Sequence, residues 1–222
     1  MALDKFVLRT LVGGLVLGHG LQKLTGSFGG AGLEGTEKTM NALGLHPAKY
    51  QARAVALSET IGGGLTVAGF LSPLGPAMIM GTMAVAIKKV HLKNGLWVSR
   101  GGYEFNLTLI GASFALAADG PGLMSVDWVL GKQRSGLKWA MAAAGLGFGA
   151  AAAVLRIGEQ MTPTAPASDK DKDGAVEEPP SVPSLRPEPD HEGHDHEGHD
   201  HSEERQGSER GDSEPSRSEG YN

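Results

Sequence analysis

Long apolar windows are separated by more polar segments along the first 157 residues of the chain. A bilayer core about 30 Å thick needs roughly 20 apolar residues in helical form, and the windows come near that length. The pattern therefore predicts an all-α integral membrane protein, with a four-helix transmembrane bundle followed by a fifth, C-terminal transmembrane helix. The predicted spans are Phe6–Leu24, Ala52–Leu71, Pro73–Leu92, Tyr103–Ala118 and Gly136–Ile157.

The connections between the windows divide the chain into parts. Residues 25–51 separate the first two windows and are rich in glycine before they become polar. We expect a short interfacial helix there, capped by Thr36 or Thr39 and ended by Gly44. The predicted parts are the four-helix bundle, a connecting loop with the added helix, and a tail, over residues 1–128, 129–160 and 161–222.

Charge is divided unevenly between the windows and the tail. Residues 1–156 carry seven acidic and fourteen basic side chains, whereas residues 157–222 carry eighteen acidic and six basic ones. The later segment has too few large apolar residues to offset the entropy of ordering it, so we expect a disordered acidic tail. The chain has no cysteine, which excludes disulfides, thiolate metal sites and iron–sulfur clusters within it. Any redox role would need a bound cofactor or a partner.

The lysines and arginines near the window ends favour one orientation in the lipid bilayer. Nine of them lie on the side reached by windows one, three and five, against five on the side of the N-terminus. The positive-inside rule thus predicts an external N-terminus and a cytoplasmic tail. We expect the bilayer to be the main partner, and no nucleic acid.

Glu59 is the residue within the windows that most needs a partner. A charge at mid-bilayer costs at least about 2.5–3.5 kcal/mol on insertion scales, and a carboxylate has too short a stem to reach water. We consider two roles for it, an ion pair that stabilises helix packing and a ligand-facing or proton-handling carboxylate. Its candidate partners are Arg9, His19, Lys23, Lys88 and His91.

Further polar side chains mark the end of the first window and the start of the fourth. His19 precedes Gln22 by three residues and Lys23 by four, so a helix places all three on one face. Glu104 falls in the first turn of the fourth window, where a carboxylate favours the positive end of a helix. Helix packing or interfacial anchoring would account for each of these residues taken alone.

Several short motifs follow one another in a recognisable order. They are His19-Gly20-x-Gln22-Lys23-Leu24 followed by Phe28-Gly29-Gly30, Glu59-x-x-Gly62-Gly63, the series Ala84, Ala86, His91 and Gly95, then Gly101-Gly102-Tyr103-Glu104-x-Asn106, and Asp119-Gly120-Pro121-Gly122 with Ser125-x-Asp127. Over residues 5–128 the chain resembles the DoxX family of small four-helix membrane proteins of bacteria and archaea. The fifth predicted span and the tail are additions beyond that unit.

This resemblance implies a prokaryotic, multi-pass protein of the cell membrane that works with a quinone or with a membrane oxidoreductase complex. It implies no general catalytic mechanism, so whether the chain is an enzyme stays open. A pocket open to one leaflet would suit a quinone-like amphiphile, because quinone carbonyls need a hydrogen-bond or proton donor. By family similarity, the residues expected to line it are His19, Gln22, Lys23, Glu59, His91 and Glu104.

The tail repeats the five residues Asp-His-Glu-Gly-His, starting at Asp190 and again at Asp195. Imidazoles and carboxylates together can bind Zn²⁺, Ni²⁺ or Cu²⁺ without a fold. A solvated acidic tail in which histidines repeat without binding metal is the alternative. The candidate metal ligands are His191, His194, His196, His199 and His201.

Three functions remain open from these patterns. The first is a redox-associated subunit that binds a quinone-like molecule or docks an oxidoreductase, with the quinone as its cofactor. The second is a small-solute or metal-linked membrane transporter, in which Glu59 would be the coupling site. The third is a membrane scaffold without chemistry of its own.

Overall fold

The computed structural model describes residues 2–162, and every regular element in that range is helical. Five long helices occupy the five predicted windows, which confirms that each window is helical. Residues 163–222 lie outside the described part, and with them the predicted metal ligands His191, His194, His196, His199 and His201. The helices are α1 Ala2–Thr25, α2 Gly32–Ala42, α3 Ala48–Ala68, α4 Leu74–Ala86, α5 Glu104–Asp119, α6 Val126–Val129 and α7 Leu137–Gln160.

The third predicted window changes its helical form before it ends. α4 stops at Ala86, and the chain continues as a widened π-helical turn over Ile87–His91 and a 3-10 turn over Leu92–Asn94. Further 3-10 turns at Ser27–Gly29 and Val98–Arg100 follow α1 and precede α5. The irregular turns therefore gather where α1 and α4 end and α5 begins.

α2 lies in the connection where the sequence predicts an interfacial helix, and Gly44 follows its end with a left-handed backbone (φ 66°). The predicted caps are wrong, because Ala31 occupies the N-cap position. Thr36 and Thr39 lie inside the helix instead, and each hydroxyl donates to the carbonyl four residues earlier. The helix simply begins before the polar stretch that suggested its start.

α1 and α3 pack antiparallel in the most extensive helix–helix contact of the described bundle. Glycine makes this contact possible, since a Cβ atom at Gly63 would lie 2.7 Å from the Gly13 carbonyl oxygen and closer still to the Leu17 nitrogen. Membrane helices associate through such close approach, because lipid gives them no hydrophobic drive toward each other. The contact determines which residues of α1 and α3 face one another.

α4 lies at the centre, between α3, α5 and α7. Its Ile79 and Met80 are fully buried and belong to two different clusters of core residues. Ile79 packs with Val12 and Val16 of α1, whereas Met80 packs with alanines of α7 such as Ala140. Most of the core is therefore made of small or unbranched side chains that let the helices come close.

The outer surface of the bundle is apolar where a water-soluble protein would be polar. On α1 the exposed large hydrophobic side chains recur every fourth residue as Leu3, Val7, Leu11 and Leu15. Leu11 is 58% exposed, whereas Arg9 on the opposite face is only 5% exposed. An aliphatic face outside with a charge inside is the arrangement expected when the surrounding solvent is lipid.

α7 is the one helix within residues 2–162 that is long and apolar enough to cross a membrane by composition alone. α4 and α5 have only 13 and 16 residues as regular α-helix. α1 and α3 are longer, but Arg9 and Glu59 lower their average hydropathy although both side chains are buried inside the bundle. Hydropathy averaged around a helix thus understates how apolar its outer face is.

Candidate functional site

A cavity of about 580 Å³ lies between α1, α3, α4, α5 and α7. It is located toward the end of the bundle where α1, α4 and α7 finish, which we call the cavity end. The opposite end contains Arg9 and is called the Arg9 end. Most of the cavity wall is aliphatic, with a few polar groups that include Lys23, Glu59, Thr82 and Asn106.

The central polar contact of the wall joins α1 to α3. The Lys23 ammonium donates to Glu59 Oε2 at 2.5 Å. The Glu59 side chain is only 5% exposed, whereas that of Lys23 is 30% exposed. The glycine contacts between α1 and α3 bring these residues together, because Gly20 lies directly against the backbone of Thr60. Glu59 thus has its ion-pair partner in the first predicted window.

His19 lies on the same face of α1 and also lines the cavity. Its Nδ1 is 3.1 Å from Gln22 Oε1, and the Gln22 amide donates to the Phe28 carbonyl at 3.4 Å. Because an amide oxygen only accepts, His19 Nδ1 must be the donor, and a neutral ring then keeps Nε2 as an acceptor. Gln22 does not itself line the cavity; it orients the imidazole.

The last two predicted residues are His91, after α4, and Glu104, at the start of α5. His91 ends the π-helical turn and lines the cavity, where its Nδ1 donates to the Gly101 carbonyl at 2.8 Å. Glu104 is in the first turn of α5, as predicted, but does not line the cavity. The neighbouring Phe105 and Asn106 line it in its place. The structure therefore groups four of the six predicted residues around one cavity: His19, Lys23, Glu59 and His91.

Asn106 is a cavity residue that the sequence patterns include only as the last residue of the motif starting at Gly101. It is 7% exposed, and its amide donates to the Met83 sulfur at 3.3 Å. A thioether is a weak acceptor, so this bond holds the amide less firmly than a carbonyl would. The sequence signal was a polar residue within an apolar window, two positions after Glu104.

α7 forms one wall of the cavity through Leu146, Gly147 and residues up to Val154. A Cβ atom at Gly147 would collide with the Ala77 carbonyl, so this helix lies directly on α4. At its C-terminal end, Glu159 is 3.7 Å from Lys89 of the π-helical turn. The helix that lies beyond the family-like unit is thus part of the cavity itself.

Arg9 is not a partner of Glu59, which corrects one of the alternatives from the sequence. Its Nε donates to the Val67 carbonyl at 3.0 Å, and its two terminal nitrogens donate to the carbonyls of Pro121 and Met124. The charge therefore binds main-chain oxygens at the C-terminal end of α3 and in the loop after α5. This guanidinium ties three chain segments together at the Arg9 end.

Asp127 binds backbone N–H groups at the same end, as Arg9 binds backbone carbonyls. It is fully buried, and its carboxylate accepts the backbone N–H groups of Leu71 at 3.0 Å and Ser72 at 2.7 Å. Ser125 caps the short α6 by accepting the Trp128 N–H. The motif at residues 119–127 therefore closes the end of the bundle.

Within residues 2–162, no group of three or more histidines and carboxylates is arranged to hold a metal ion. The predicted metal ligands of the tail lie beyond that range. The described cavity thus offers hydrogen-bond donors, one carboxylate and an apolar wall.

The DoxX family model matches residues 5–92 of the chain. No curated protein and no solved structure matches the chain. The match covers α1 to the π-helical turn and includes four of the predicted residues that line the cavity, His19, Lys23, Glu59 and His91. It ends before Glu104, so the family supports the resemblance in the first three windows and not in the fourth.

Proposed function

We propose that this chain, whose residues 5–92 form a DoxX domain, is a multi-pass protein of a prokaryotic cell membrane that binds a quinone-like amphiphile as a redox-associated subunit. In this proposal α1, α3, α4, α5 and α7 all cross the bilayer. The observation that carries the proposal is the apolar cavity with the Lys23–Glu59 pair and His19 on its wall. Its volume of about 580 Å³ falls in the range usual for sites that bind small organic molecules.

The polar groups of the wall suit both redox forms of such a ligand. Lys23 has three N–H donors, of which Glu59 takes one, and a quinone carbonyl can accept another. Because the Nδ1–H group of His19 donates a hydrogen bond to Gln22, its Nε2 can accept a hydrogen bond from the hydroxyl group of a quinol. The aliphatic wall would surround the ring substituents and the tail.

Reduction of a quinone to a quinol consumes two electrons and two protons. The Lys23 ammonium can donate one proton to the reduced ligand and, because its side chain is 30% exposed, can take up another from water and deliver the second. The chain has no cysteine to hold an iron–sulfur cluster, so in this proposal the electrons come from a membrane oxidoreductase partner. The chain is therefore proposed to be a subunit that positions the quinone.

The test is the quinone content of the full-length protein purified in mild detergent, measured by mass spectrometry of the extracted small molecules. We expect retained quinone in the wild type. Glu59→Gln and His19→Ala should each lower it about tenfold, because each removes a charged or oriented hydrogen-bonding group. The matched controls are Glu104→Gln and His46→Ala, since neither residue lines the cavity; both should retain the wild-type content. Equal content in Glu59→Gln, His19→Ala and their controls would contradict the proposal.

A transporter remains the alternative with a distinct result. Solute passage would require the Arg9 end to open, whereas there Arg9 and Asp127 bind main-chain groups of three segments. We therefore expect no metal-dependent or solute uptake into proteoliposomes. Uptake that disappears when residues 190–201 are deleted would favour the transporter.

A further inference from the structure

A second cavity lies on the bundle at the Arg9 end, between the N-terminal parts of α4 and α7. It has a volume of about 370 Å³. Its wall is apolar except for Ser72 and Arg134. Ala77 and Leu146 line both cavities, which are therefore neighbours. We call this second cavity the Arg134 groove.

Arg134 is held at the rim of the groove with hydrogen-bonding capacity left over. One terminal nitrogen donates to the Ser72 carbonyl at 3.1 Å, and the guanidinium carbon is 5.5 Å from the centre of the Trp139 ring. Among the described residues, no carboxylate forms an ion pair with it. Most of its five N–H donors thus remain available to an anion in a fixed plane.

The groove runs from this charge toward the middle of the bundle. Trp139, Ala142, Ala143 and Leu146 share one face of α7, and Leu146 lies about 10 Å along the helix axis from Trp139. Among the helices within residues 2–162, α7 alone is long and apolar enough to cross a membrane by composition. Arg134 lies just before this helix and Trp139 in its first turn, and aromatic and basic residues at the ends of membrane helices are typical of the level of the lipid headgroups.

We propose that the Arg134 groove binds one anionic phospholipid, with the phosphate on the Arg134 guanidinium and an acyl chain along the apolar wall. Charge favours this occupant over a neutral lipid, because Arg134 lines the groove and none of the described carboxylates forms an ion pair with it. The nearby Asp127 carboxylate is already bound to two backbone N–H groups. Basic sites between membrane helices bind anionic headgroups by this chemistry.

The experiment uses native mass spectrometry of the full-length protein after exchange into detergent with phosphatidylglycerol or phosphatidylcholine of identical acyl chains. We expect one phosphatidylglycerol molecule to be retained about tenfold more tightly than phosphatidylcholine. Arg134→Gln should abolish that preference. Lys138→Gln removes the same charge at the same end but does not line the groove, so it should change the affinity less than about twofold.

Ala142→Trp provides a second variant that tests the acyl position, because Ala142 lines the groove and is exposed. The indole would fill the groove, so both lipids should be lost while the helical content stays unchanged. Equal retention of the two lipids by the wild type would overturn the proposal in favour of ordinary annular lipid. Equal losses in Arg134→Gln and Lys138→Gln would also overturn it, as would unchanged retention in Ala142→Trp.

Discussion

The two ends of the bundle each bury charged side chains, but they satisfy them in different ways. At the Arg9 end, Arg9 and Asp127 bind backbone carbonyls and N–H groups. At the cavity end, Lys23 and Glu59 bind each other beside an open volume. Main-chain partners cannot leave without changing the fold, whereas a side-chain partner can be exchanged for a ligand. The bonds of Arg9 and Asp127 therefore hold the fold together, whereas the Lys23–Glu59 pair can exchange a partner for a ligand bound in the cavity.

Replacing Arg9 should lower the stability of the bundle more than any other change considered below. Arg9→Met removes the donor of three hydrogen bonds to carbonyls, and leaving buried acceptors unpaired should lower the stability by on the order of 3 kcal/mol. The measurement is unfolding of the detergent-solubilised protein followed by circular dichroism. Arg9→Lys retains the charge and fewer of the bonds, so its loss should be smaller. If Arg9→Met reduced the quinone content but left the stability unchanged, the structural role of Arg9 would be contradicted.

The next effect concerns the contact between α1 and α3 that holds Lys23 against Glu59. Gly63→Ala would force a methyl group against Leu17 and Gly13, and such overpacking costs about 1–3 kcal/mol. Gly64→Ala is the matched control, because no atom of another helix lies within 4 Å of a Cβ at that position. The same unfolding measurement should show a loss for Gly63→Ala and none for Gly64→Ala. Equal stabilities would mean that the helices can move apart freely.

An ion pair outside the cavity should contribute least to the stability of the protein. On α2, Lys38 donates to Glu34 at 2.8 Å, and both side chains are exposed. This hydrogen bond holds the pKa of Glu34 below its usual value and raises the pKa of Lys38. The contribution of Glu34 to stability is therefore present above its unfolded pKa and is lost as the pH falls through its folded pKa.

Carboxyl NMR titration checks this pair in the full-length protein. In Lys38→Met the pKa of Glu34 should move up toward its ordinary value, while the unfolding transition stays where it is in the wild type, because exposed pairs are screened by solvent. An unchanged pKa would show that the pair does not persist in solution. A large change in stability would show that exposed pairs matter here as much as the buried one.

Much of the helical architecture followed from local patterns. The five apolar windows predicted α1, α3, α4, α5 and α7, because the length of an apolar run depends only on neighbouring residues. The shared face of His19, Gln22 and Lys23 followed from helical spacing alone. The break of α4 into a π-helical turn did not follow, because no proline or glycine marks it in Ile87–His91.

Which residues meet across the bundle depends on its tertiary structure. The sequence identified Glu59 as a charge in need of a partner, and Arg9 and Lys23 were both open to it. The register of α1 against α3, determined by backbone contact at Gly63, placed Lys23 beside Glu59 and Arg9 beside loop carbonyls. The role of α7 as a cavity wall depends in the same way on its contact with α4. Register and helix packing arise from contacts between distant segments, so no local pattern in the sequence contains them.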